Sequence, residues 1–272
     1  MIVVTGATGN VGRHLVQTLV EAGEDVTAVS RHVADAPEGV RRHKADLTSP
    51  ETLRPALRDA EALFLLTSAD FMAHGDMNAV MDVVRASGVG RVVLLSSQGV
   101  GTGRHPSDLE DAVKDSGLEW TMLRPGNFAS NAFQWAESIR ASRTALAPFG
   151  DVALPTIDPL DIAEAAAVVL REPGHAGAAY TLTGPTPITP REQVAAIADA
   201  LGDPIHFIEE TPEAARTRML TFMPPPVVTA TLAVLGSPTP TEQTPTPDLT
   251  HLLTRPPHPF TTWTTHNTQP FK

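Results

Sequence analysis

Apolar and polar positions alternate in blocks along the first half of the chain. Met1–Thr5 is a short apolar run with strand character. Asn10–Ala22 then places Val11, Leu15, Leu19 and Val20 at helical spacing, and Gly23 supplies a C-terminal stop. The pattern repeats. Strands are predicted at Asp25–Ser30, Val40–Lys44, Ala62–Leu66, Arg91–Leu95 and Glu119–Leu123, and helices at Pro50–Ala60, His74–Ser87 and Ser107–Ser116. Ala62–Leu66 is apolar without interruption, the mark of a strand covered on both faces. Such alternation predicts an α/β fold built on a doubly wound parallel Rossmann sheet.

After Arg124 the rhythm changes. Pro159–Arg171 is a strongly apolar helix, Ala178–Leu182 a strand, Thr189–Leu201 a helix capped by Thr189 with Glu192 three residues on, and Ile205–Glu209 a strand. The expected division is a dinucleotide-binding core over 1–124 and a smaller C-terminal α/β substrate lobe over 125–272 that shares strands with the core. Ser237–Pro247, rich in Thr and Pro, reads as an exposed loop. Leu249–Phe271 regains aromatic residues and is expected to dock as a short terminal helix.

Composition narrows the function. The 272 residues carry a formal net charge of -11, which argues against a nucleic-acid partner. The basic run Arg41-Arg42-His43-Lys44 reads as a solvated segment. The chain has no cysteine, which removes disulfides, thiolate nucleophiles and thiolate metal sites, and fits a reducing cytoplasm. No signal peptide and no membrane span are expected. The ten histidines show no pair at metal-ligand spacing, so no metal is assigned.

The chemistry is concentrated after the first strand, in Thr5-Gly6-Ala7-Thr8-Gly9-Asn10-Val11-Gly12. Gly6 permits a tight turn, Gly9 lets the backbone approach a pyrophosphate, and Gly12 lets helix and strand pack closely. Gly6, Thr8, Gly9, Asn10, Val11 and Gly12 are therefore assigned to dinucleotide binding, with free N–H groups at the helix start facing the phosphates. No Asp or Glu occupies Val29–Val33 to accept from a ribose 2′-hydroxyl, and Arg31 stands there instead. Arg31 favours NADP, with NAD left open.

Further segments carry a family likeness: Ala45-Asp46-Leu47, Leu94-Leu95-Ser96-Ser97, Ser116-Gly117-Leu118-Glu119-Trp120-Thr121-Met122-Leu123-Arg124-Pro125-Gly126-Asn127-Phe128, Asp161-Ile162-Ala163, and Tyr180-Thr181-Leu182-Thr183-Gly184-Pro185. With the glycine loop, they make the chain resemble the NmrA-like group of atypical short-chain dehydrogenases, over nearly its whole length. The resemblance implies that Asp46 and Leu47 line the adenine pocket and that Thr67 and Ser68 pass beside the nicotinamide ribose. It also implies that Ser96, Ser97 and Gln98 face the active-site cleft, and that Asn127 and Phe128 wall the nicotinamide. Ser96 is counted with the cofactor, and Gln98, Asn127, Phe128, Phe133 and Trp135 with the substrate.

One feature of ordinary short-chain dehydrogenases is missing. They pair a Tyr with a Lys four residues later, which tunes the phenol for proton transfer. The single tyrosine here, Tyr180, lies in a strand pattern without such a Lys, and Ser107–Ser116 holds only Lys114. Simple carbonyl reduction is therefore disfavoured. A quinone needs no strong protein acid, because a hydroquinone anion takes its proton from water. His105 and Ser97 are the candidate catalytic residues, since histidine is the side chain that titrates near neutral pH. The leading expectation is an NAD(P)H-dependent oxidoreductase acting on an aromatic or quinone-like small molecule, as a monomer or homodimer. Two others stand beside it: a tailoring oxygenase of a polyketide-like quinone that needs neither flavin nor metal, and a non-catalytic NAD(P)-binding sensor.

Overall fold

A computed structural model describes residues 1–32 and 37–272; Val33, the last residue of the window read for an acidic side chain, lies outside them. In chain order the first half contains β1 (Ile2–Thr5), α1 (Gly12–Glu21), β2 (Val26–Ser30), β3 (Arg41–Lys44), α2 (Arg54–Leu57), β4 (Ala62–Leu65), α3 (Ala69–His74), α4 (Met77–Ala86), β5 (Arg91–Leu95), α5 (Gln98–Gly101), α6 (Asp108–Asp115) and β6 (Glu119–Pro125). The remainder contains β7 (Asn127–Phe128), α7 (Ala136–Ser142), β8 (Thr144–Ala147), β9 (Leu154–Ile157), α8 (Pro159–Arg171), β10 (Ala178–Leu182), β11 (Pro187–Ile188), α9 (Pro190–Leu201) and β12 (His206–Glu209). It ends with α10 (Pro212–Met219), α11 (Pro225–Gly236), α12 (Pro240–Gln243), α13 (Asp248–Leu253) and α14 (Phe260–His266).

Two compact units emerge. The first comprises Met1–Pro125, Pro159–Leu182 and Asp248–Arg255; the second comprises Gly126–Asp158, Thr183–Pro247 and Pro256–Lys272. The chain thus crosses between units several times, and a single cut after Arg124 marks only the first crossing.

The first unit is the expected doubly wound sheet. Seven parallel strands run in the order β10-β6-β5-β4-β1-β2-β3. The order reverses between β4 and β1, so a crevice opens beyond their carboxyl ends. On one face α1 turns Leu15, Val16 and Leu19 inward and packs against α8. Alanines 163, 165, 166 and 167 bury most of the α8 surface and leave room for close helix packing. On the other face Leu53, Leu57, Val80 and Val84 meet Leu63, Leu65, Val92 and Leu94 in one apolar cluster.

Several expected elements are subdivided, each for a local reason. The expected helix His74–Ser87 starts at Met77 as α4, and a separate helix, α3, ends at His74. Gly75 lies where a Cβ would meet the Phe71 ring at 2.2 Å, and Asp76 caps the new helix by accepting from the Asn78 N–H. Pro50–Ala60 divides into a 3-10 turn over Pro50–Leu53 and α2, with Pro55 at the start of the second piece. The expected loop Ser237–Pro247 contains α12, closed by a capping box in which Thr239 accepts from the Glu242 N–H and Glu242, 3% exposed, reaches back. The expected single terminal helix is α13, α14 and a 3-10 turn over Gln269–Phe271, the first two separated by Arg255-Pro256-Pro257.

The second unit holds a three-stranded sheet, β11-β9-β7, and a parallel pair, β12-β8. Its core gathers Trp135, Ile139, Val194, Ile197, Phe260, Trp263 and Phe271.

Candidate functional site: a nucleotide cleft and a serine–histidine turn

The glycine loop leaves β1 at Thr5, whose buried hydroxyl accepts from the Leu66 N–H at 2.8 Å and donates to the Phe64 carbonyl at 3.1 Å. That latch fixes the ends of β1 and β4 on either side of the crevice. Gly6 follows at φ +61°, with the Leu66 side chain filling the space its Cβ would need. Gly9 N donates to Gly6 O at 2.9 Å. At Gly12 a Cβ would sit 2.1 Å from Gly6 O, so only glycine allows α1 to start this close to the loop. The first turn of α1 has no side-chain cap and no acidic residue. The partial positive charge of the helix start favours an anion there. Val11 is buried beneath this turn.

Beside the loop lies a cleft of about 210 Å³, lined by Gly6, Thr8, Gly9, Arg31, Asp46, Leu47 and Ser68 among the residues expected there. Asn10, Val11, Gly12, Thr67 and Ser96 do not line it. Thr5, the first residue of the glycine segment, and Leu66, which the sequence gave no role at the site, line it too. Asp46 accepts from the Thr48 N–H at 2.9 Å and the Thr48 hydroxyl at 2.8 Å. These two bonds hold its carboxyl below the usual range, and the Arg31 charge adds to them against a small opposing effect of burial. The cleft thus presents a fixed carboxylate and an exposed guanidinium on one rim. An acid-free helix start, a loop without room for side chains and this paired rim fit a dinucleotide. Thr67 donates to the Met72 sulfur at 3.7 Å, and the Ser68 hydroxyl caps α3 by accepting from the Phe71 N–H.

A second constellation follows β5. Ser97 Oγ lies 2.7 Å from His105 Nδ1. Ser97 occupies the N-cap position of the short α5, yet its side chain makes no cap bond there, which leaves it to the histidine. The His105 ring lies over Gly99, where a Cβ would meet Nδ1 at 2.4 Å, and His105 N donates to Gly99 O at 3.0 Å. Gln98 Nε2 is enclosed and has no hydrogen-bond partner among the described residues, a state that calls for an explanation such as a ligand or a catalytic role. Ser96 is spent elsewhere: its hydroxyl donates to the buried Glu110 at 2.6 Å. Tyr180 is on the outer strand β10, paired with Leu123 of β6, and its hydroxyl lies 2.8 Å from His175 Nδ1. Burial and the Asp248 charge push that phenol above its ordinary value.

The remaining expected residues belong to the second unit. Asn127 Nδ2 donates to Thr156 Oγ1 at 3.3 Å, while its carbonyl accepts from Asn131 Nδ2 at 2.9 Å, so the amide has a defined orientation. Phe128 is half-buried on β7. Trp135 is 4% exposed, and its indole N–H donates to Leu146 O at 2.9 Å. Phe133 packs on Trp263 and Phe271, with ring centroids 5.0 and 5.8 Å away. The Phe133 ring is thus engaged with the C-terminal tail and the Trp135 indole with β8.

Known proteins agree with this geometry. The family model described as NAD(P)H-binding matches residues 6–173. A (4-alkanoyl-5-oxo-2,5-dihydrofuran-3-yl)methyl phosphate reductase from Streptomyces griseus is 35% identical over 100% of this chain and 99% of its own length. An NAD(P)H azoreductase from Xenophilus azovorans is 32% identical over 80% of each chain. Among solved structures, an NADPH-dependent quinone oxidoreductase from Escherichia coli, complexed with NADPH, superposes with a TM-score of 0.79 at 22% identity, covering 98% of this chain and 99% of that one. The chain therefore belongs to the NAD(P)H-binding family and is an NAD(P)-dependent oxidoreductase.

Proposed function

We propose that this protein reduces an aromatic or quinone-like small molecule whose conjugated system absorbs the charge of an incoming hydride. The observation that carries the reading is the Ser97–His105 pair in a fold that has lost the Tyr/Lys dyad. A serine–histidine pair is a weaker acid than a Lys-tuned phenol. It suits acceptors that become stabilised anions and unsuits isolated ketones. The activities of the sequence relatives agree in kind, since an azo group and an alkanoyl-oxo-dihydrofuran are both conjugated acceptors.

Gly6, Thr8, Gly9, Asn10 and Gly12 would hold the coenzyme diphosphate through the backbone; Asp46 and Leu47 would hold the adenosine, with Thr67 and Ser68 beyond β4. Arg31 would favour a 2′-phosphate, making NADP the preferred form. When bound, the reduced nicotinamide supplies the hydride. The protein's part is positional and protonic. Ser97 Oγ gives its proton to the acceptor atom that gains charge, His105 Nδ1 returns a proton to Ser97, and the other ring nitrogen exchanges with water. Gln98 supplies a further amide donor beside Ser97. Trp135 and Phe133 are given no acceptor contact.

The test is loss of NADPH absorbance with a panel of quinones, azo compounds, unsaturated lactones and plain ketones. Turnover with the conjugated acceptors and none with the ketones is expected. Tight NADPH binding without consumption across the whole panel would replace the reductase by a dinucleotide sensor.

A further inference from the structure

Glu110 is a buried acid that the reading above leaves without a task. It stands on α6 at 1% exposure, beside the ends of β5 and β6. Open α/β sheets bind ligands at these ends. A buried ion pair is a poor source of stability, because desolvation offsets most of the Coulomb gain. Its distinguishing property is geometric. Arg124 Nε and Nη2 donate to the Glu110 carboxylate at 2.8 and 2.6 Å, and Ser96 Oγ donates at 2.6 Å. Lys114 Nζ approaches to 3.4 Å. Burial raises the carboxyl, but the Arg124 and Ser96 bonds, the Arg124 charge and Lys114 outweigh it and keep it ionised.

The partners of this carboxylate sit at both flanks of the serine–histidine turn. Ser96 directly precedes Ser97, and its N–H donates to Leu123 O at 2.8 Å. The Arg124 guanidinium lies against Gly101, where a Cβ would meet Nη1 at 3.3 Å. Between them, Arg104 N and His105 N both donate to Gly99 O. We propose that Glu110 is a positioning residue: through Ser96 and Arg124 it fixes the turn that presents Ser97 to His105. The proposal rests on the reductase reading for its effect on turnover, though the positioning itself does not.

Removing Glu110 would strand Arg124 without its partner, so the test acts on Ser96. Ser96→Ala deletes one bond to the carboxylate and leaves the ion pair; Ser96→Thr keeps the hydroxyl. With NADPH and a simple benzoquinone, Ser96→Ala should lower kcat by about tenfold to a hundredfold, the scale of a small misplacement of reacting groups. The calorimetric affinity for NADPH should hold, and Ser96→Thr should recover most of the lost rate. Independently, nitrogen NMR on isotope-labelled histidine, assigned with His105→Ala, should show the Nδ1 signal of a bonded imidazole in the wild type and in Ser96→Thr, and of an unbonded one in Ser96→Ala. Wild-type kcat and an unmoved Nδ1 signal in Ser96→Ala would overturn the proposal, as would equal impairment of both variants. If the wild type consumes NADPH with no acceptor, the reductase reading fails by itself and the histidine signal alone decides the positioning.

Discussion

Two turns at strand ends of the first unit, one after β1 and one after β5, are built from opposite materials. The Gly6–Gly12 loop is made of backbone: its shape follows from missing side chains, and its ligand-facing groups are amides. The Ser96–His105 turn is made of side chains, held by a carboxylate fourteen residues along the chain from Ser96. A backbone site tolerates nothing added. A side-chain site can be retuned one group at a time, which gives a family with one coenzyme room to change acceptors.

That contrast can be broken or sharpened by four measurements. Gly12→Ala puts a methyl 2.1 Å from a carbonyl oxygen; overpacking of ~1–3 kcal/mol should weaken NADPH binding on the order of tenfold to a hundredfold. Unchanged calorimetric affinity would show that the loop is not built around its missing side chains. Next, Ser97→Ala and His105→Ala should each cut kcat roughly tenfold or more while leaving that affinity intact. The loss should grow with the basicity of the reduced acceptor, and a flat response across the quinone panel would remove the proton-transfer role. A smaller effect is expected at the rim of the cleft: Arg31→Ala should reduce the preference for NADPH over NADH by about tenfold, since a charged hydrogen bond to a phosphate contributes ~1.5–3 kcal/mol and this guanidinium is exposed. Equal discrimination before and after would end the case for a 2′-phosphate contact.

The smallest effect is on acid stability. Glu110 is held below the ordinary glutamate value of 4.5 when folded. A group with a lowered folded pKa stabilises the protein above its unfolded pKa, and that stability is lost as pH falls through the folded value. The contribution should thus be complete above about pH 4.5 and fade below it. A thermal melt series on Glu110→Gln should lack this part of the acid slope; an identical slope would mean that the carboxylate titrates without consequence.

The sheet and its loop were legible in the sequence because both depend on local signals: β-branched runs, glycine spacing and an apolar stripe on α1. The Ser97–His105 contact was legible only as two residue types near one strand end. The neighbouring bonds of Ser96 and Arg124 to Glu110 bring together residues from a loop, a strand and a helix, and no periodicity records that. The helices of the second unit were partly missed for a different reason. Thr189-Pro190, Thr211-Pro212 and Thr239-Pro240 each start a helix, the threonine accepting from a backbone N–H and the proline taking the first helical position, where no N–H is needed. The first was read as a start. The last was absorbed into an apparent loop, because the same two residues that open a helix also dominate unstructured segments. For Trp135 and Phe133, aromatic rings after a strand end suggest a ligand wall, while the contacts seen are the Trp135 indole bond to Leu146 and the packing of Phe133 on Trp263 and Phe271.

The outer strand β3 consists of Arg41, Arg42, His43 and Lys44, all but His43 exposed, and it closes one side of the seven-stranded sheet. A second molecule offering the same rim would bring like charges within a strand spacing of roughly 5 Å. Growth of the sheet from one molecule into the next is therefore discouraged on this side, and a paired form of the protein would have to be stitched together elsewhere.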